Sequence, residues 1–325
     1  MSSKTPNVIF RNEPKLFECE IDEDLNKMRT EFVPYIQDFV TEHDLFKNEA
    51  EVGIEFAHKG ISSVIAIIDT LAGKWVLKIP RNKAHTIGEG HFFQVWEKAG
   101  VTVPQIIETG ELKGYPYTLM EYIDAPTLDT QYTTKEMPSK GMFTEMGKIL
   151  RLMHSEKVTG YGHVVDGKPE FETVEEWLEG DDMKKRLDYI NEHNLLAGVE
   201  DELVKALEVI TQNSKTEEST YCHDDFFPAN MFATNPITIF DPQPRFNSGY
   251  YDLGRVTFVN IAFKNSEESL QQLLDGYFDE DSCNNQVLNA YTFLAFCIRC
   301  RYWHQSGREK ELNEVKKYFS ENKIY

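Results

Sequence analysis

Residues 221–252 contain Tyr221-Cys222-His223-Asp224-Asp225-Phe226-Phe227-Pro228-Ala229-Asn230, then Ile237-Thr238-Ile239-Phe240-Asp241-Pro242, then Tyr251-Asp252-Leu253. An aspartate followed five residues later by an asparagine, with a second aspartate after a short apolar run, supplies one base and two oxygen ligands for a hard cation. That set suits phosphoryl transfer, where Asp225 takes the proton of an attacking hydroxyl while Asn230 and Asp241 hold Mg²⁺ against nucleotide phosphates. Such chemistry asks little covalent work of a protein, so positioned charge is most of the catalyst.

Upstream, Gly73-Lys74-Trp75-Val76-Leu77-Lys78-Ile79-Pro80 alternates as a strand and ends on Lys78, which can reach the α- and β-phosphates. The helical stretch from Glu89 to Gly100 supplies an acid at its start to orient that lysine. Phe92, Phe93 and Trp96 lie on one face, and Gly100 is a natural stop. Tyr115–Asp124 reads as a strand running into polar residues, as a hinge between two lobes would. Lys78, Glu89, hinge, Asp225, Asn230 and Asp241 therefore follow one another in the order of a kinase chain.

On these residues the chain resembles the aminoglycoside phosphotransferases and their wider superfamily of small-molecule kinases with a protein-kinase-like fold. The resemblance spans roughly residues 50–300 and takes in Val76-Leu77-Lys78, Gly100-Val-Thr-Val-Pro104, the hinge Leu119–Ala125 and Leu150-Arg-Leu-Met-His154. The loop of His223, Asp225 and Asn230 belongs to it, as do Asp241 and Asp252-Leu253. Thr159-Gly-Tyr-Gly162 followed by Trp177 is similar to the hygromycin-type branch. The resemblance implies that Asp225 is the catalytic base, Asn230 and Asp241 the Mg²⁺ ligands, and Lys78 with Glu89 the phosphate-gripping pair. It implies adenine on the backbones of Glu121 and Ile123, with ATP as donor and GTP as the other candidate.

Three positions depart from the family pattern. Asp224 stands where Gly is usual, so a second carboxylate either raises the pKa of the base or faces solvent. Pro242 follows Asp241 where Trp is more frequent, a feature shared with streptomycin-type relatives. Ala125 replaces a common hinge Gly. None removes a catalytic group.

The resemblance implies an α+β, two-lobed fold: an N-terminal antiparallel sheet lobe and a larger, mainly helical C-terminal lobe. Residues 1–120 form the nucleotide-binding lobe (an N-terminal helix and a five-stranded sheet), 121–125 the hinge, and 126–325 the helical lobe with catalytic loop and substrate site. Periodicity places a helix over 22–45, bent or split at Pro34, after an irregular stretch over 1–20. Three strands fall within 51–80, and the first turn, His58–Ser63, offers Ser62 or Ser63 and backbone donors to the phosphates. Further helices are expected at 141–155, 173–193, 199–213, 266–278, 284–305 and 307–321, with short strands at 231–234 and 237–241.

The 325-residue chain carries a net charge of −20. That balance opposes nucleic acid or an anionic membrane surface as partner and favours a cationic small molecule, although acidity also serves solubility alone. Five cysteines, an odd number, fit a reducing cytoplasm better than a disulfide framework. The N-terminus lacks the apolar stretch of a signal peptide, and no window approaches a membrane span. Oligomeric state is left open.

Other residues invite competing readings. His223 is expected to hold the loop by a hydrogen bond rather than act as base, and Asp252 to brace the same loop. Cys297, Cys300 and His304 have zinc-like types but fit one face of an apolar helix, so core packing is preferred. Glu175–Asp182, with Asp181 and Asp182 foremost, and Asp279–Asp281 are candidate cages for a cation or else solvated helix starts. Three functions compete: a kinase for an aminoglycoside-like cation of the antibiotic-resistance type, a metabolic kinase for choline, a sugar or a sugar amine, and a catalytically weak nucleotide-binding regulator. Only ten residues separate Asp241 from Asp252, and no Ala-Pro-Glu follows, so a peptide-docking protein kinase is disfavoured.

Overall fold

Val52, Ile54, Phe56, Val64, Ala66 and Ile68 are completely buried while the residues between them are mostly more exposed, the period-two signature of strands with one face on a core. In the computed structural model, which describes residues 5–14, 23–57, 63–81, 83–165, 167–263, 266–279 and 281–323, the chain divides into two compact units. One comprises Met1–Gly90 and Pro104–Asp124, the other His91–Val103 and Ala125–Tyr325.

The first unit holds β1 (Asn7–Phe10), α1 (Glu23–Glu42), β2 (Glu51–Phe56), β3 (Ser63–Thr70), β4 (Gly73–Pro80), the start of α2 (Lys83–Lys98), β5 (Ile106–Leu112) and β6 (Tyr115–Glu121). Its sheet runs β1-β2-β3-β4-β6-β5. The expected five strands are six, because Asn7–Phe10, inside a stretch expected to be irregular, pairs parallel with β2. Its four residues are too short for periodicity to register. The helix is not split at Pro34: α1 is one continuous helix with Pro34 inside it. Leu25, Phe32, Ile36 and Val40 are buried in one core cluster with the sheet, and that burial outweighs the hydrogen bond a proline forfeits.

The second unit continues with α3 (Leu128–Gln131), α4 (Glu136–Ser139), α5 (Met142–Met153), β7 (Lys157–Val158), β8 (Tyr161–Val165), β9 (Lys168–Phe171), α6 (Val174–Glu179), α7 (Asp181–Glu192), α8 (Glu200–Asn213) and β10 (Ser219–Cys222). After a 3-10 turn at Pro228–Asn230 come β11 (Met231–Phe232), β12 (Thr238–Ile239), β13 (Arg245–Asn247), α9 (Gly249–Ala262), α10 (Glu267–Phe278), α11 (Asn285–Gln305) and α12 (Glu309–Glu321). The helix expected over 173–193 is two. Gly180 adopts extended backbone between α6, which starts with a capping box from Thr173 and Glu176, and α7. A five-stranded sheet, β7-β10-β13-β8-β9, was not legible, since its strands are two to five residues long. No helix among the described residues is long and apolar enough to cross a membrane.

Helix packing in this unit relies on missing side chains. A Cβ on Gly147 of α5 would lie 2.1 Å from the carbonyl oxygen of Leu273, and one on Gly276 of α10 2.1 Å from that of Thr144. A Cβ on Gly254 of α9 would meet the backbone of Tyr291 in α11 at 2.6 Å. These glycines let helix backbones nearly touch, which fixes what α9 and α11 carry.

Candidate active site

In the first unit β4 pairs with β3 and β6, placing Lys78 opposite Ile65 and Thr118 in the middle of the sheet. The Lys78 Nζ donates to Glu89 Oε1 at 2.6 Å, and both side chains are buried. A lysine held this way keeps its charge without solvent and points in one direction. Glu121 ends β6, its N–H donating to Gln105 O and its Oε1 accepting from Gln105 N at 2.8 Å. Ile123 follows just beyond the strand. Ser63 opens β3 opposite Pro80 and is buried, whereas Ser62 and the rest of the 58–62 turn lie outside the described residues.

The second unit carries the loop that begins after β10. Asp252, in the first turn of α9, accepts the N–H of His223 at 2.7 Å through Oδ2 and that of Asp224 at 2.8 Å through Oδ1. Its Oδ2 also faces His154 Nε2 at 3.1 Å. His223 Nδ1 accepts the N–H of Asp225, which leaves Nε2–H to donate to Phe240 O at 3.1 Å. With both nitrogens so used, and Trp96 stacked on its ring, His223 is a neutral strut. Burial depresses its pKa in the same sense.

Asp225 is partly exposed at the tip of this loop. Burial raises its pKa, and the nearby charge of Arg255 and the bond from Asn230 only partly reverse that. Asn230 Nδ2 donates to both the backbone oxygen and Oδ2 of Asp225, at 2.9 and 2.8 Å. The hairpin then returns: Met231 pairs with Ile239, and Phe240 N–H reaches Asn230 O, so Asp241 emerges beside Asn230. Asp225 and Asp241 both act electrostatically on His223. The amide nitrogen of Asn230 is spent on Asp225, which leaves its oxygen to join the Asp241 carboxylate. One amide and one carboxylate oxygen are a donor set suited to Mg²⁺.

Of the two outcomes expected of Asp224, facing solvent is overturned, since the residue is buried, while its charge adds a minor part to the rise in the Asp225 pKa. Its backbone is left-handed (φ 59°), the conformation that glycine adopts freely and aspartate tolerates. Its carboxylate is buried and takes Arg245 Nε at 3.0 Å through Oδ2. Oδ1 faces Arg255 Nη1 at 3.1 Å, a charge contact rather than an aligned hydrogen bond. Burial opposes the charge on Asp224, but Arg255 and Arg245 outweigh it and hold the carboxyl below its usual range. No spacing signals these partners, since they lie 21 and 31 residues downstream and converge only through β13 and α9.

The remaining candidates make their own pairings, although the charge of Asp182 reaches Arg245. Asp181 and Asp182 open α7 and pair along the same helix, Asp181 with Lys185 at 3.7 Å and Asp182 with Arg186 at 3.2 Å. Asp279 pairs with Arg151. Cys297 and Cys300 are buried in the α11 core, and His304 meets Tyr189 instead. Among the described residues a different set, His154, Cys222 and Asp252, is grouped closely enough for a metal. It is dry and already engaged: His154 bonds Asp252 and Tyr277, and the Cys222 thiol points at backbone carbonyls.

A family described as "Phosphotransferase enzyme family" matches residues 53–284. None of the curated proteins searched matches the chain. Among solved structures, a thermostable mutant of aminoglycoside phosphotransferase APH(4)-Ia, in ternary complex with AMP-PNP and hygromycin B, is 15% identical at a TM-score of 0.63, covering 84% of this chain and 94% of that one. A choline/ethanolamine kinase family protein from Mesorhizobium loti is 14% identical at 0.60, covering 90% and 94%. Spectinomycin phosphotransferase APH(9)-Ia, in complex with ADP and spectinomycin, is 16% identical at 0.52, covering 82% and 89%. At such identities these likenesses carry the fold, which is the α+β kinase-like architecture expected from the sequence.

Proposed function

The chain belongs to the phosphotransferase enzyme family, a family of small-molecule phosphotransferases, and from that premise we propose that it transfers the γ-phosphoryl group of ATP to an alcohol, with Mg²⁺ held by Asn230 and Asp241. The observation that carries this reading is the bond from Asn230 to the Asp225 carboxylate within a hairpin that returns Asp241 alongside. It ties a base to two cation ligands in one rigid piece. Asp225 accepts the proton of the acceptor hydroxyl as that oxygen bonds to the γ-phosphorus. The bond from phosphorus to the β,γ-bridging oxygen breaks, ADP leaves, and the proton passes to solvent. The cation, when bound, neutralises charge developing between the β- and γ-phosphates.

Lys78, aimed by Glu89, grips the α- and β-phosphates, and the backbone at Glu121 and Ile123 receives the adenine. The complexes of relatives with AMP-PNP and ADP support a nucleotide donor. The ligands named for those relatives are diverse, so they support a small hydroxylated acceptor without choosing its charge. The choice matters, because the carboxylates expected to cage a cation, Asp181 and Asp182, are already paired with Lys185 and Arg186. The test is Mg²⁺-dependent ATP consumption by the purified chain over aminoglycosides, choline, sugars and hydroxy acids, with the phosphorylated product identified by mass. Nucleotide binding without Asp225-dependent transfer to any acceptor would favour the regulatory reading instead.

A further inference from the structure

His304, whose zinc-like neighbours in the sequence are Cys297 and Cys300, has a different companion in the fold. His193 is the C-cap residue of α7, and His304 lies in the last turn of α11. Their rings stand 5.0 Å apart between centroids, at 60° to each other. Tyr189, one turn before His193, joins them: its ring stacks on His193 at 4.1 Å and its hydroxyl lies 2.8 Å from His304 Nδ1. The backbone on either side is fixed, because the adjacent Ile190 and Trp303 are buried and Arg186 of α7 donates to Ile298 O of α11 at 3.4 Å. His193 itself is exposed and His304 half-buried, so the pair is open to solvent.

Hydrogen bonding decides which ring nitrogen each histidine presents. His193 Nδ1 lies 2.9 Å from the carbonyl oxygen of Tyr189, which can only accept, so Nδ1 carries the proton and Nε2 the lone pair. His304 Nδ1 faces a phenol that accepts as readily as it donates, so Nε2 of His304 can offer its lone pair too. An imidazole whose far N–H is given to an oxygen is oriented and made more basic as a metal ligand. Two imidazoles bound to one tetrahedral ion at 2.0–2.1 Å set their centroids roughly 5 Å apart, which the observed separation matches.

The local field also suits a cation. The C-terminal ends of two helices, of 12 and 21 residues, meet here, and each carries the negative pole of its dipole. Arg301 opposes this, with its guanidinium 5.3 Å from the Tyr189 ring. An ion must therefore gain from directed donor bonds what it loses to that charge. Imidazole gives such bonds to late first-row ions, whereas Mg²⁺ and Ca²⁺ take oxygen ligands.

We propose that His193 and His304 form a site for a late first-row divalent ion, Zn²⁺ foremost, with water completing the coordination. The bound ion clips the end of α7 to the end of α11. The site lies outside the catalytic loop and does not depend on the kinase reading. With two protein ligands it is an open site, weaker than a closed structural one of four.

The test uses the full-length chain saturated with Mg²⁺ and AMP-PNP, so that oxygen ligands of the catalytic loop are occupied. Calorimetric titration with Zn²⁺ is expected to show one saturable site. Its affinity should fall at least ten-fold in His193→Ala and in His304→Gln, but not in Cys283→Ser, which removes a partly exposed thiol. His193→Ala alters only an exposed side chain, so it reports on the site even if His304→Gln disturbs the fold. Cu²⁺, used as a probe, should show two imidazole nitrogens by electron paramagnetic resonance in the native chain and fewer in His193→Ala. No saturable Zn²⁺ binding up to about 1 mM, affinity kept in His193→Ala, or loss on Cys283→Ser overturns the proposal.

Discussion

The carboxylate of Asp252 accepts the backbone N–H of His223 at 2.7 Å across 29 residues of sequence. Its second oxygen takes the N–H of Asp224, so one buried side chain replaces the strand ladder that β10 leaves behind. Asp252→Asn keeps the shape but sets an NH₂ against an N–H donor. A loss of about 2–3 kcal/mol is expected from the stranded buried donor, read as a lower denaturant midpoint at unchanged slope. An unchanged midpoint would show that the loop holds itself.

Asp225→Asn should reduce kcat by at least about 10²-fold, the usual span for a positioned general base. Nucleotide affinity measured by calorimetry should stay near the native value, because the base addresses the acceptor. Near-normal turnover would remove Asp225 from that role.

The buried pair Lys78–Glu89 can be broken on one side or replaced on both. Lys78→Met leaves Glu89 as an uncompensated buried carboxylate and should cost about 3–5 kcal/mol. Lys78→Met with Glu89→Leu should recover most of that stability while phosphotransfer stays lost. If the double variant were no more stable than the single one, the charge-pair account would fail.

Asp225 serves as base only when ionised, and burial raises its pKa. The rate should therefore fall as pH drops through a value above the ordinary aspartate pKa of about 3.9. Arg255 pulls that pKa down, so Arg255→Gln should move the acid limb of the kcat profile to higher pH. A shift to lower pH would contradict the arrangement.

Where α5 meets α10, Gly147→Ala places a methyl group against a backbone carbonyl that cannot yield as a side chain would. Overpacking of this kind should cost about 1–3 kcal/mol by chemical denaturation. A neutral or stabilising effect, the ordinary result of replacing a helical glycine by alanine, would mean the helices have room.

The sequence by itself determined the order of the chemistry and most of the helices. Asp225, Asn230 and Asp241 sit within one short stretch, and their geometry follows from a turn and a hairpin of two-residue strands, which are local. The helices over 200–213, 267–278 and 285–305 were legible because an amphipathic or apolar run of twelve or more residues repeats its own signal. Only the tertiary structure decided the partners of Asp224 and the short strands β1 and β7–β9, for two physical reasons. A strand of two to five residues carries too few side chains to show a period. A buried aspartate ion-pairs with whatever the fold delivers, and Arg245 and Arg255 arrive through β13 and α9 rather than through any spacing in the chain.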